Sequence, residues 1–306
     1  MPLVALLYAL FASTFTIAKT GLQYSPPLFF VGTRMVLGSV LIFSYLFFFK
    51  REHIAYPPKT FTLIVLLGLF NIFFTNVFEF WGLQYLTSAK ACFLYSLAPF
   101  MAAISSYFYL GERMTGRKWL GMLIGFIGFL PVLSQQSGAE ADIGHFFLLS
   151  WAELSVLAAA TATVWGWIFM RRLVTDHECH PLTANAYSMI VGGILSLAFS
   201  AGADSWDPFP VSDWRPFLEC TILLMIISNL ICYNLYGHLL KTFTATFMSF
   251  AGFITPLFAS FFGWLFLGEL VTWHFFVAVG IVATGLSIFY QEELRQGVLQ
   301  EAENSS

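Results

Sequence analysis

Residues 87–115, TSAKACFLYSLAPFMAAISSYFYLGERMT, recur in altered form 157 positions later, where residues 244–272 read TATFMSFAGFITPLFASFFGWLFLGELVT. Both copies are largely apolar, carry a proline near the middle and contain Leu-Gly-Glu close to the end. The positions that are identical in this ungapped register are Thr87/Thr244, Phe93/Phe250, Pro99/Pro256, Ala102/Ala259, Leu110/Leu267, Gly111/Gly268, Glu112/Glu269 and Thr115/Thr272. A self-match at about half the chain length indicates an internal duplication. The sequence therefore predicts two related halves.

The composition predicts a protein that lies mostly in lipid. Of the 306 residues, 58% are hydrophobic and only 10% are charged, whereas a soluble domain carries roughly 25% charged residues. The net charge of −3 gives no reason to expect a nucleic-acid partner. The four cysteines lie mostly in apolar runs, and their spacing does not suggest a disulfide framework. We expect an all-α polytopic membrane protein whose main partner is the bilayer.

Ten apolar runs are long enough to cross a hydrocarbon core, which takes about 20 helical residues. The first run begins almost at Met1, but no basic region precedes it, so we interpret it as a span and not as a signal peptide. Five predicted spans fall in each half. The predicted spans are 3–20, 28–49, 60–82, 88–110, 118–134, 150–170, 181–201, 214–239, 245–267 and 272–290.

Lysine and arginine predict the orientation of these spans, because basic loops stay in the cytoplasm. One side has Lys50, Arg51, Lys59, Arg113, Arg117, Lys118, Arg171, Arg172, Lys241 and Arg295. The other side has Lys19, Lys90 and Arg215. Both termini are thus predicted to be cytoplasmic, and an odd number of spans per half makes the halves run in opposite directions. We expect two inverted five-helix repeats at 1–134 and 150–290, an outer linker at 135–149, and a frayed cytoplasmic tail at 291–306.

Pro99 with Leu110-Gly111-Glu112, and Pro256 with Leu267-Gly268-Glu269, resemble the paired signatures of the drug/metabolite transporter superfamily in its ten-span EamA-type branch. The resemblance covers nearly the whole chain, although Leu270 replaces the basic residue that follows Glu in the first copy. It implies alternating-access transport of a small metabolite through a cavity between the halves, in a bacterial inner or plasma membrane. It leaves the substrate open among amino acids, S-adenosylmethionine, nucleotide sugars and drugs.

The two prolines lie at equivalent places near the centres of two spans. Proline removes one amide and frees the carbonyl four residues earlier, here those of Tyr95 and Gly252. Unpaired carbonyls are tolerated in lipid only against protein or a water-filled cavity. We therefore predict that Pro99 and Pro256 form a paired hinge or cavity-lining kinks; packing alone is the alternative.

A polar face on the third span predicts part of a binding site. Asn71, Thr75, Asn76 and Glu79 share one helical sector. Their equivalents 157 positions later are Ser228, Cys232, Tyr233 and Tyr236, with Asn229 alongside. A lipid-facing helix would not keep such a face, so we expect Asn76, Glu79, Asn229, Tyr233 and Tyr236 to line the interior and contact substrate. Hydrogen bonding between helices is the alternative.

Charges within the first half suggest what the substrate carries. Lys19, Arg34 and Lys90 face a single intramembrane acid, Glu79, so an anionic ligand group would complete the set. For Lys19 and Lys90 the alternative is snorkelling to the interface. Aromatic side chains near the polar faces could stack on a ring or hold a cation; packing in the core or at the membrane interface is the alternative for each. These aromatic residues are Tyr85, Tyr95, Trp165, Tyr233 and Tyr236.

Three other features favour structural roles. Glu112 and Glu269 end spans, and we expect them to fix turns and to pair with a nearby base or amide. Gly121 and Gly125 form a GxxxG motif, which we expect to permit close internal packing. The sequence shows no metal-ligand pairs beyond His177-Glu178-Cys179-His180, no nucleotide-binding loop and no catalytic constellation. We therefore expect no metal, no cofactor and no enzymatic activity.

These patterns together predict a secondary transporter of a small zwitterionic metabolite. Arg34 and Lys90, with Lys19, would bind a carboxylate, Glu79 would bind an ammonium or other cationic centre or a proton, and aromatic rings would bind the side group. Among the substrates that the resemblance implies, S-adenosylmethionine fits these charges best, possibly moved by exchange. Amino-acid or drug export, nucleotide-sugar exchange, and a membrane scaffold without transport are the alternatives. Direction, coupling ion and oligomeric state stay open.

Overall fold

Helices occupy the described parts of all ten predicted spans in the structure, a computed structural model that describes residues 2–50, 58–110, 114–133, 140, 142–147, 149–239, 248 and 251–304. The helices are Pro2–Gly21 (α1), Pro27–Phe49 (α2), Phe61–Leu83 (α3), Ser88–Tyr95 with Ala98–Leu110 (α4), Gly116–Leu133 (α5), Trp151–Thr175 (α6), Pro181–Ala203 (α7), Trp214–Leu239 (α8), Gly252–Leu267 (α9) and Trp273–Asn304 (α10). Seven of the described helices are individually long and apolar enough to cross a membrane. The chain is an all-α multi-pass membrane protein.

Short elements connect or extend these helices. A 3-10 turn at Pro58–Thr60 precedes α3, and strands His145–Phe146 (β1) and Leu149–Ser150 (β2) pair antiparallel before α6. The tail differs from the prediction: it was expected to be frayed from residue 291, but α10 continues as a helix without a break to Asn304. The predicted turn at Gly111-Glu112 lies outside the described residues.

The two halves share backbone irregularities at equivalent positions. In α3 the segment Gly68–Phe74 is π-helical, and in α8 the π-helical segment Met225–Cys232 begins 157 residues later. The second part of α4 starts at Ala98, and the α-helical part of α9 starts at Thr255, again 157 residues later. The duplication seen in the sequence is thus also present in the geometry of the helices.

Contacts between helices obey the same two-fold relation. Helix α1 packs on α9 and α8, and its equivalent α6 packs on α4 and α3. Helix α2 packs on its own equivalent α7, and α5 packs on its own equivalent α10. Since each half has five spans, the pseudo-two-fold axis lies in the membrane plane, as in other inverted repeats. We call the end where α1 finishes and α4 begins the outer end, and the opposite end the inner end.

Each proline lies just after a break in its helix. Helix α4 is interrupted at Ser96 and Leu97, so that Pro99 falls in the first turn of the second part. In α9 a 3-10 turn at Gly252–Ile254 precedes the α-helical part, and Pro256 again falls in the first turn. Proline is tolerated there because a first-turn amide has no helical partner to lose. The two discontinuities predicted from the prolines are present, whereas hinge motion stays a prediction.

Helices α5 and α10 approach each other through glycine. A Cβ atom built on Gly121 would lie 2.7 Å from the carbonyl oxygen of Gly285. A Cβ atom built on Gly125 would lie 2.4 Å from the ring of Phe100. The GxxxG motif therefore serves close packing inside the bundle, as the sequence predicts.

Candidate functional site

A cavity of about 800 Å³ lies between the two halves. Its walls include residues of α1 to α6, and of α8, α9 and α10. At the inner end the walls reach exposed residues, whereas toward the outer end they stop at buried ones. Both helix breaks contribute, through Ser96, Ala98 and Pro99 on one side and through Gly252 and Thr255 on the other.

Asn76 and Tyr233 meet on the wall of this cavity. The Nδ2 atom of Asn76 lies 3.3 Å from the hydroxyl oxygen of Tyr233, and the two residues are 157 positions apart. A residue in contact with its own repeat equivalent lies on the two-fold axis. The Asn76 amide also donates to the carbonyls of Asn71 and Ile72, at 3.2 and 2.9 Å, inside the π-helical segment. Such wide turns occur frequently at functional sites.

Arg34 is a buried cation on the cavity wall. It is 1% exposed, its Nη2 atom donates to Oδ1 of Asn76, and its Cζ atom lies 4.7 Å from the centre of the Phe80 ring. Its buried Nε atom has no hydrogen-bond partner within the described part of the chain. Guanidinium groups bind carboxylates well because their donors match a carboxylate in pairs. Arg34 therefore retains donor capacity that a ligand could use.

Glu79 is the acid of the cavity. Its side chain is half-buried on the wall one turn from Asn76. Across the described ranges, its carboxylate makes no hydrogen bond and no ion pair. A carboxylate inside a membrane bundle is expensive and marks a functional position by default, and Arg34 is the charged group that influences this one electrostatically. It could bind a cationic ligand group.

Hydroxyl groups and an aromatic ring complete the wall beside Glu79. The hydroxyl of Tyr95 is hydrogen-bonded to Thr163, whose Oγ1 atom also lies 2.9 Å from that of Thr75. The ring of Phe15 meets the ring of Tyr95 edge-on, with centroids 6.0 Å apart. These bonds join α3, α4 and α6 and fix the orientation of Tyr95.

A second aromatic group lies on the inner side of the axis. The rings of Trp167 and Tyr236 stack with centroids 4.1 Å apart and an interplanar angle of 26°. Tyr233 meets Trp167 edge-on at 6.0 Å, and Phe11 lies 6.3 Å from Tyr236. All four residues line the cavity. Sequence reasoning missed Trp167, Phe11 and Phe15, because no polar pattern singles out their faces.

The predicted aromatic candidates divide into two groups. Tyr95, Tyr233 and Tyr236 line the cavity, as expected. Trp165, by contrast, packs on Phe169, 6.3 Å between centroids, and Tyr85 packs on Trp81 at 5.3 Å. Neither is part of the cavity wall that the described residues form. Two positions separate Trp165 from Trp167, and that spacing turns their side chains to different sides of the helix.

Lys90 was expected to bind a substrate carboxylate but binds protein carboxylates instead. Its Nζ atom lies 2.8 Å from Glu140 and 2.7 Å from Glu153, and both acids are fully buried. Ser150 donates to Glu140 at 2.8 Å. The balance of charges within the spans of the first half did not include these two acids, because Glu140 lies in the linker and Glu153 lies at the start of α6.

Lys19 likewise has a protein partner. Its Nζ atom lies 3.0 Å from Glu269 and also donates to the carbonyl of Leu86. Both oxygens of Glu269 accept from the backbone N–H of Ser88, at 2.9 Å each. The predicted role of Glu269, pairing with a base or an amide, is confirmed. This contact joins α9 of the second half to α1 and α4 of the first half at the outer end.

Two further predicted residues lie just behind the cavity wall. Asn229 is fully buried, and its Nδ2 atom lies 3.4 Å from the carbonyl oxygen of Arg34 and 3.2 Å from Sδ of Met35. Its neighbour Ser228 lines the cavity in its place. Pro256 is buried, while the adjacent Thr255 lines the cavity. Asn229 thus joins α8 to α2, as the helix-packing alternative predicts.

The inner end of the cavity has a basic rim. Arg171 and Arg172 are exposed at the end of α6, and Lys118 is buried at the start of α5 with its Nζ atom 5.6 Å from the centre of the Phe289 ring. Asp176 is the acid among them, and Arg171, Arg172, Lys118 and Asp176 all line the cavity. Since these bases belong to the predicted cytoplasmic loops, the cavity opens toward the predicted cytoplasmic face.

A family model and several relatives resemble this chain. The model of the EamA-like transporter family matches residues 1–134 and 150–291. A protein of Chlamydia muridarum, named S-adenosylmethionine/S-adenosylhomocysteine transporter, is 42% identical over 96% of this chain and 92% of its own length. A Chlamydia trachomatis serovar L2 protein of the same name is 41% identical over 96% of this chain and 90% of its own length.

Similarity at lower identity extends to other chains. The uncharacterized transporter YoaV of Bacillus subtilis is 24% identical over 89% of this chain and 90% of its own length. One crystal structure aligns with a TM-score of 0.65 and covers 94% of both chains at 17% identity. At that identity the alignment supports the fold alone.

Proposed function

The chain belongs to the EamA-like transporter family, and on that premise we propose that it exchanges S-adenosylmethionine and S-adenosylhomocysteine across a membrane by alternating access. The two Chlamydia relatives are named S-adenosylmethionine/S-adenosylhomocysteine transporter and match nearly the whole chain. We place the protein in a bacterial inner membrane with both termini in the cytoplasm, on the basis of its lysines and arginines.

The observation that carries the proposal is the pair of opposite charges in one cavity. Arg34 has spare donors, and Glu79, which Arg34 influences electrostatically, makes no hydrogen bond or ion pair with the described residues. A zwitterion brings a carboxylate for the first and an ammonium for the second. The sulfonium of S-adenosylmethionine adds a second cationic centre, for which aromatic rings are also favourable neighbours.

The rest of the cavity suits a ligand of this size. Its volume of about 800 Å³ lies within the range typical of small-molecule sites. Thr75, Thr163 and Tyr95 offer hydroxyl groups beside Glu79. A nucleotide sugar fits less well, because its diphosphate would be repelled by the Glu79 carboxylate.

The contacts at the outer end support an inward-open arrangement. Glu269 ties α9 to the start of α4 and to Lys19 of α1, while among the described residues the cavity reaches exposed side chains only toward the inner end. Alternating access would then require this outer contact to open as the inner end closes. The breaks at Pro99 and Pro256 lie where such a bend would be accommodated.

Counterflow in proteoliposomes tests the proposal. Vesicles that contain the full chain are loaded with unlabelled S-adenosylhomocysteine and given labelled S-adenosylmethionine outside. We expect saturable accumulation, which is lost in Glu79→Gln and in Arg34→Ala. Glu219→Gln is the matched control, because Glu219 is an exposed acid paired with Arg215 outside the cavity.

The result for the wild-type protein decides the substrate. Absence of accumulation with folded wild-type protein would contradict the substrate assignment, and amino acids would then be loaded in the same assay. Accumulation that persists in Glu79→Gln would contradict the role of Glu79 but not the substrate assignment. Labelling that depends on a proton gradient and not on internal substrate would contradict exchange.

A further inference from the structure

The two-fold axis divides the cavity into two chemically different poles. Asn76 and Tyr233 lie on the axis, and the next residues to face the cavity in these helices are Glu79 in α3 and Tyr236 in α8. Glu79 and Tyr236 are themselves repeat equivalents, 157 positions apart. Because the repeats are inverted, the three-residue step from the axis leads toward the outer end in α3 and toward the inner end in α8.

The pole on the outer side is charged. Arg34 of α2 and Glu79 of α3 form it, and both belong to the first repeat. The pole on the inner side is aromatic, formed by the stacked rings of Trp167 in α6 and Tyr236 in α8, and both belong to the second repeat. The duplication has thus kept the backbone and exchanged a carboxylate for a phenol.

Trp167 presents a flat surface to the cavity. Its side chain is half-buried and lines the wall, and Tyr236 covers one face of its indole. Tyr233 approaches edge-on at 84°. Throughout the described ranges no further aromatic ring contacts Trp167, so the face opposite Tyr236 meets no other ring. Trp167 also packs against an apolar cluster of α3, α6 and α7, and the part of its indole that lines the cavity is where a planar aromatic group can stack.

The separation of the poles sets the minimum length of a ligand that reaches both. Three residues of α-helix rise about 4.5 Å, so Glu79 and Tyr236 are on the order of 10 Å apart along the cavity once the contact at the axis is added. A free amino acid is too short to contact both poles. A zwitterion joined through a sugar to a purine is long enough.

We infer that the ligand lies across the two-fold axis, with its zwitterionic end on Arg34 and Glu79 and its purine on Trp167, and that Trp167 and Tyr236 make the site specific for adenosyl compounds. This inference rests on the proposed function and adds an orientation and two specificity residues to it. A ligand in this position touches both repeats, so it can hold them together while the cavity changes its opening.

Competition binding separates the two poles. Labelled S-adenosylhomocysteine is bound to the full chain in nanodiscs and displaced by unlabelled S-adenosylhomocysteine, by adenosine or by homocysteine. In the wild-type protein we expect adenosine and homocysteine each to displace the label, and each to do so more weakly than unlabelled S-adenosylhomocysteine. Base stacking on an aromatic side chain corresponds to about 5- to 150-fold in affinity. Trp167→Leu should lower the affinity for S-adenosylhomocysteine by that factor and abolish competition by adenosine.

Controls distinguish stacking from general damage. In Trp167→Leu the inhibition constant of homocysteine should stay within about twofold, as for an independent contact. Trp165→Leu, on the same helix but outside the described cavity wall, should bind all three compounds as the wild-type protein does. Should Trp167→Leu not fold, Trp167→Phe and Tyr236→Phe keep a stacking ring and should retain adenosine binding, whereas Tyr236→Ala should lose it.

Two outcomes would overturn the inference, and they differ from failure of the proposed function. Adenosine competition that is unchanged in Trp167→Leu would place the purine elsewhere. Equal weakening of adenosine and homocysteine by Trp167→Leu would give this residue a structural role only. A wild-type protein that binds no S-adenosylhomocysteine at all would instead contradict the proposed function itself.

Discussion

Lys90 and Arg34 are both buried cations of the first repeat, but they differ in what neutralises them. Lys90, 5% exposed, is held by Glu140 and Glu153 at 2.8 and 2.7 Å. Arg34, 1% exposed, donates to the neutral amide of Asn76 and lies over the Phe80 ring. The protein thus neutralises Lys90 by direct contact, whereas Arg34 has Glu79 as an electrostatic neighbour and keeps donor capacity for a ligand that enters the cavity.

The acids show the same difference. Glu269 accepts from Ser88 and pairs with Lys19, whereas Glu79 has no such partner within the described residues. A charge with protein partners contributes to the fold or to closure of the outer end, and a charge without them contributes to binding. Substitutions at the two kinds of site should therefore separate loss of stability from loss of affinity.

The largest expected effect is on stability, in Lys90→Met. The change leaves two buried carboxylates without their cation, and removal of one partner of a buried ion pair costs about 3–5 kcal/mol. We expect a large fall in the melting temperature of the purified protein, partly restored when Glu153→Gln is added. Lys50→Met removes an exposed lysine and serves as the control. A Lys90→Met protein that is stable but impaired in uptake would show that Lys90 binds substrate, as the sequence predicts.

The next effect is on binding, in Glu79→Gln. A hydrogen bond to a charged group is worth about 1.5–3 kcal/mol, so the affinity for S-adenosylmethionine should fall by roughly ten- to a hundredfold. The melting temperature should change less than in Lys90→Met, because the carboxylate makes no hydrogen bond or ion pair with the described residues and only its electrostatic interaction with Arg34 is lost. Ligand titration and thermal unfolding of the same preparation measure both quantities. A large fall in melting temperature would make Glu79 a structural residue like Lys90.

A smaller effect is expected at the outer contact, in Glu269→Gln. The neutral amide can still accept from Ser88 but loses the ion pair with Lys19. A loss of about 1–2 kcal/mol would raise the population of the outward-open form by five- to thirtyfold. The native Cys92, 2% exposed on the cavity wall, reports this opening by its rate of labelling from outside.

The labelling of Cys92 is measured in a protein in which the other cysteines, Cys179, Cys220 and Cys232, are replaced by alanine. When the control substitution Glu219→Gln is added to this protein, the labelling rate of Cys92 should not change. Faster labelling of Cys92 from the inner side, and not from the outer side, would show that Glu269 does not close the outer end.

The smallest effect is expected at the inner rim, in Arg172→Gln. Arg172 is exposed, and exposed charges are screened over about 8 Å at physiological ionic strength. Surface substitutions of this kind usually change stability by less than about 0.5 kcal/mol. Uptake should fall by less than about twofold, and the difference should vanish in high salt. A loss as large as that of Glu79→Gln would extend the binding site to the rim.

The fold could be predicted from the sequence because its signals are local or repeated. Hydrophobic runs indicate which segments form membrane-spanning helices, and the offset of 157 residues relates the halves without any structure. Pro99 and Pro256 indicate the breaks in α4 and α9, since proline disturbs its own helix. The π-helical segments carry no comparable signal, because no single residue type imposes an extra residue in a turn.

The site could be predicted only in part, because burial partners come from distant parts of the chain. Glu269 is 181 residues from Ser88, and Glu140 is 50 residues from Lys90. A count of charges within the first four spans cannot include them. The helical phase of α6 is a second reason: packing on α3 and α4, and not the sequence of α6 itself, turns Trp167 and not Trp165 into the cavity.

The paired π-helical segments also record the history of the protein. Gly68–Phe74 reads GLFNIFF and Met225–Cys232 reads MIISNLIC, and in the 157-residue register these stretches have no identical residue. The wide turn has nevertheless stayed at the same place in both copies while the side chains diverged. Common descent can thus be traced through the path of the main chain where letter-by-letter comparison no longer detects it, and other gene duplicates could be recognised in the same way.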